Sequence, residues 1–64
     1  MTFEGPVFVP YAVGLGTGWM VRAYAEINGK EYVWGDFSFK KYTDEEIAEL
    51  KISAQAAFDR AKRD

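Results

Sequence analysis

The chain has 64 residues, of which 8 are basic and 10 acidic for a net charge of −2, and it contains neither cysteine nor histidine. That composition excludes disulfide stapling, thiolate or imidazole metal ligation and histidine-based catalysis, and it exerts no overall electrostatic pull toward nucleic acid or anionic membrane. So short a chain lies near the lower size limit for one unaided core. It reads as a single domain, 1–64, whose 17% aromatic content supplies the apolar area.

The amino-terminal Met1–Pro6 segment lacks the basic and continuous apolar regions of a secretory leader. No stretch reaches the roughly 18 apolar residues of a membrane span, so a cytoplasmic location is expected. Val7, Val9, Tyr11 and Val13 then alternate with Phe8, Pro10 and Ala12, the period of a strand. Pro10 cannot donate to a ladder, which puts this strand at a sheet edge. Gly14 to Gly18 forms a glycine-rich turn. A second strand, Trp19 to Ile27, sets Trp19, Val21, Ala23, Ala25 and Ile27 on one side.

Asn28-Gly29 is the preferred pair for a two-residue type I′ hairpin turn, because both central positions need positive φ. That turn fixes a register: Ile27 faces Lys30, Ala25 faces Tyr32 and Ala23 faces Trp34 on one side, and Glu26 faces Glu31, Tyr24 faces Val33 and Arg22 faces Gly35 on the other. The third strand should run from about Glu31 to Phe37, with a bulge at Gly35 turning both Trp34 and Phe37 inward. Pairing Val13 with Trp19 in the first hairpin would bring Val7, Val9 and Tyr11 to the same inner face.

Thr43-Asp44-Glu45-Glu46 is a capping box, and a helix should follow to about Lys62. Its core stripe is Ile47, Leu50, Ala54, Ala57, Phe58 and Ala61. Acidic residues at its start and basic residues at its end complement the helix dipole. The expected fold is α+β: a three-stranded antiparallel sheet packed against one C-terminal helix, in the order β-β-β-α.

No catalytic motif accompanies these elements. The glycine loop leads into a strand rather than opening a phosphate-binding helix, and no hydroxyl has a histidine base, so no enzyme activity and no cofactor are expected. Glu26 and Glu31 offer a contact for a basic partner, or are simply two solvated carboxylates beside Lys30. Lys40 and Lys41 offer a phosphate contact on the same terms. Ile52 falls off the helix stripe.

The outer sheet face is the stronger signal. Phe8, Tyr24 and Val33 form one row there, with Met20 and Arg22 beside them. An apolar, aromatic outer face marks a docking surface for a protein partner or a second copy of the chain. It would also result if the register were shifted by one residue somewhere in the sheet, or if the amino-terminal tail folded back over the face.

Trp19 through Lys30 (Trp-Met-Val-Arg-Ala-Tyr-Ala-Glu-Ile-Asn-Gly-Lys), then Trp34-Gly-Asp-Phe37 and an alanine-rich helix, resembles the ethylene-response-factor type of DNA-binding domain and the arm-binding domains of tyrosine recombinases. The resemblance covers about residues 7–62. It implies a three-stranded sheet backed by a helix, with the sheet laid in the DNA major groove. The groove-facing positions of the plant-type domains are mostly arginine with a tryptophan. Here they match Arg22 and Tyr24 on the second strand and Glu31 and Val33 on the third, with no arginine on the first. The leading expectation is therefore a non-enzymatic protein-binding module, an adaptor, inhibitor or regulator. It acts through Phe8, Met20, Arg22, Tyr24 and Val33, and sheet-based DNA binding is the alternative.

Overall fold

The computed structural model describes residues 1–63. Residue 64 lies outside the described residues. Three strands, β1 (Thr2–Ala12), β2 (Gly16–Ile27) and β3 (Lys30–Ser38), form an antiparallel sheet in the order β1-β2-β3, followed by one helix, α1 (Asp44–Arg63). The architecture is β-β-β-α, an α+β fold of two layers, 35 × 26 × 15 Å in extent.

The second hairpin follows from its turn. Asn28 and Gly29 have φ of 52° and 81°, and β2 pairs with β3 in one unbroken register from Ile27–Lys30 to Trp19–Ser38. Every pair expected from the Asn-Gly turn is present. Val21, Ala23 and Ile27 are buried on the helix side, and Ala54 and Phe58 of α1 close over Ala23 and Ile27. The remaining stripe residues of α1, Ile47, Leu50, Ala57 and Ala61, are half-buried. Thr43 starts the helix as a capping box: its hydroxyl accepts from the Glu46 amide at 3.2 Å, and the Glu46 carboxylate accepts from the Thr43 amide at 3.0 Å.

The first hairpin departs from the expected alternation. β1 starts at Thr2 rather than Val7. It lies at a sheet edge, as Pro10 requires, and pairs as Phe3–Ala23, Glu4–Arg22, Val7–Met20, Phe8–Trp19 and Val9–Gly18. Two bulges set two β1 residues against one on β2: Gly5 and Pro6 opposite Val21, then Pro10 and Tyr11 opposite Thr17. A proline has no ladder hydrogen to lose in a bulge, so each bulge forms where a proline interrupts the strand. The first bulge reverses the side-chain alternation, so Phe3 and Phe8 share the helix side although five positions separate them. Phe3 packs against the core there.

Four residues are placed differently from the sequence expectation. Phe8 leaves the outer row: it is paired with Trp19 on the helix side, their rings edge-to-face at 5.3 Å. Val7 and Val9 move the other way, to the outer face. Phe37 also faces outward, because β3 has no bulge at Gly35 and Phe37 pairs with Met20. An odd-numbered change of register exchanges the two faces of a strand, which is why one misplaced pairing moves several residues together.

Candidate functional site

The outer face of the sheet, away from α1, is built in cross-strand rows. Thr2, Tyr24 and Val33 form one; Glu4, Arg22 and Gly35 the next; Val7, Met20 and Phe37 the third. Met20, Arg22, Tyr24 and Val33 thus stand together on this face. Val33 is 61% exposed. Glu26 and Glu31 are directly opposed at the hairpin end of the same face, both exposed.

A shallow, open hollow of about 350 Å³ lies on this face, lined by Val9, Ala12, Leu15, Met20, Arg22, Val33, Gly35, Asp36 and Phe37. Two glycines shape it. Gly35 leaves a gap between Val33 and Phe37, and a Cβ there would make only ordinary contact with the Val21 carbonyl, at 3.4 Å. At Gly18, a Cβ would collide with the Ser38 carbonyl oxygen and would approach Phe37 Cζ to 2.6 Å. Glycine at 18 therefore lets the Phe37 ring lie across β2, where Phe39 meets it edge-to-face at 5.3 Å. Leu15, in the β1–β2 turn, overhangs the hollow. Its amide donates to the Ala12 carbonyl at 2.9 Å, which holds the turn closed. A smaller hollow of about 220 Å³ adjoins at the first bulge, lined by Glu4, Val7, Met20 and Arg22.

Val9, Leu15 and Phe37 were missing from the sequence-derived site, and Phe8 belongs elsewhere. The signals for this were present but indirect. Two prolines four residues apart in one strand point to bulges, and a glycine one residue before Trp19 leaves room for an aromatic ring from the neighbouring strand.

On the helix side a hollow of about 270 Å³ lies between the end of β3 and the start of α1, lined by residues that include Asp36, Ser38, Tyr42, Glu46, Glu49 and Ser53. Three of its polar groups, those of Asp36, Tyr42 and Glu46, serve the fold. The buried Tyr42 donates to Asp36 Oδ2 at 2.8 Å, and Glu46 is held by the cap. Burial pushes the Tyr42 phenol well above its usual range, and the hydrogen bond to Asp36 and the charges of Asp36 and Glu46 push it further. Among the described residues no cluster of three or more His, Cys, Asp or Glu side chains is placed to hold a metal ion, and no helix is long and apolar enough to cross a membrane.

No protein-family model, no curated protein and no solved structure matches this chain.

Proposed function

We propose that this domain is a non-enzymatic protein-binding module, an adaptor, inhibitor or regulator working in the cytoplasm, and that the outer sheet face is its docking surface. The observation that carries the reading is the apolar hollow on a face that a free domain would leave to water: Val9, Leu15, Met20, Val33 and Phe37 line it, and none is fully buried. The chemistry it would accept is an apolar or aromatic side chain seated over Gly35, with an acidic group opposite Arg22. Such a central, desolvated anchor is where binding energy concentrates.

Charge favours a protein over DNA as the occupant. The strand pairing puts Glu4, Glu26 and Glu31 on the same face as Arg22, so phosphates would meet more carboxylates than cations there.

Affinity capture from the native host, with and without nuclease, tests this. Gly35→Ala narrows the hollow with a Cβ that meets only the Val21 carbonyl, at 3.4 Å, and Leu15→Ser removes an exposed wall. Both should retain the far-ultraviolet circular dichroism of the parent and lose the captured protein, and the parent should keep it after nuclease. Capture that all three share equally, or that nuclease abolishes, would overturn the assignment.

A further inference from the structure

The two edges of the sheet are built differently. β1 carries Pro6 and Pro10 and is bent by two bulges, features that blunt an edge against further pairing. β3 has neither: its nine residues, Lys30–Ser38, contain no proline and pair with β2 in unbroken register. In a two-residue turn of this type the Lys30 amide bonds back to the Ile27 carbonyl. Lys30, Tyr32, Trp34 and Asp36 therefore aim their backbone groups at β2, whereas Glu31, Val33, Gly35 and Phe37 aim theirs at the free edge.

We propose that this edge pairs antiparallel with β3 of a second copy, about a two-fold axis through Val33. The result is a six-stranded sheet with both helices on one face. Charge complementarity selects the register. With the axis at Val33, Lys30 lies opposite the partner's Asp36 and Tyr32 opposite the partner's Trp34, each pair formed twice. Neither Lys30 nor Asp36 has an ionic partner among the described residues, where the one ion pair is Lys62–Asp59. Moving the axis to Tyr32 or to Trp34 sets Lys30 against Trp34 or Ser38 and leaves both charges unmatched. The Val33 register also satisfies the backbone, since Val33 with Val33 and Glu31 with Gly35 join residues whose hydrogen-bonding groups point outward. On the outer face the exposed Val33 side chains then meet at the axis. This edge is separate from the Leu15 wall of the hollow, so Leu15→Ser, chosen to abolish partner docking, leaves the dimer intact, and either reading can fail alone.

Sedimentation equilibrium of the full chain should give twice the monomer mass, falling to the monomer for Lys30→Glu. The register has its own readout, because the natural chain contains no cysteine. Val33→Cys puts two thiols on the axis, in a hydrogen-bonded pair with Cα atoms about 5.5 Å apart, within disulfide reach. Oxidised glutathione, itself reduced to two thiols, should convert this variant to a covalent dimer. Gly35→Cys places each thiol roughly 13 Å along the strand from its mate and should remain uncrosslinked under the same conditions. A monomeric parent at every concentration, or equal crosslinking of the two variants, would overturn the proposal.

Discussion

Ala23 lies directly opposite Trp34 across the β2–β3 ladder, and the smallest side chain of the core there makes room for the largest. Ala23 is fully buried beneath Ala54 and Phe58, and Trp34 packs against the same cluster. A larger residue at 23 would have to displace the tryptophan or lift the helix. Ala23→Leu should therefore cost about 1–3 kcal/mol by overpacking. In a domain of this size that lowers the thermal midpoint by several degrees per kcal/mol, measurable by circular dichroism. An unchanged midpoint would mean that α1 does not close over Ala23.

At the start of α1, two amides depend on one reciprocal pair of side chains. Thr43→Ala removes the acceptor for the Glu46 amide and loosens the return bond from Glu46 to the Thr43 amide. The expected loss is about 1 kcal/mol. Hydrogen exchange should accelerate at residues 43 and 46, with little change at residues 54–58, which lie under the sheet.

Tyr42 ties the connection after β3 to the sheet by donating to Asp36, and its raised pKa gives stability a pH dependence. The native state keeps the phenolic proton at pH values where the unfolded chain, with an ordinary value of 10.0, has lost it. The stabilisation is therefore complete below about pH 10 and declines as the pH rises through the folded-state value. Tyr42→Phe should cost about 1–2 kcal/mol at neutral pH by removing the bond to a carboxylate. Chemical denaturation at a series of alkaline pH values should show the parent losing stability faster than the variant.

The β2–β3 hairpin and the helix were legible in the sequence because their determinants are local. Asn28-Gly29 admits one turn geometry, and with a side-chain period of two that turn sets every pair from Ile27–Lys30 back to Trp19–Ser38. Thr43 to Glu46 likewise marks a helix start within four residues, and the apolar stripe from Ile47 to Ala61 orients the helix on the sheet.

The β1 side of the sheet was decided only by tertiary structure. Alternation in Val7–Val13 specifies a strand but not its register, and the glycine-rich turn allows several. The pairing that forms is the one that seats Phe3 against the core and Phe8 on Trp19, which requires the bulges at Pro6 and Pro10. The local register of the β2–β3 hairpin already set Met20, Tyr24 and Val33 on the outer face and made it apolar. Which further residues complete it depends on non-local contacts: the bulges turn Val7 and Val9 outward and Phe8 inward, and the space over Gly18 gives the Phe37 ring its place.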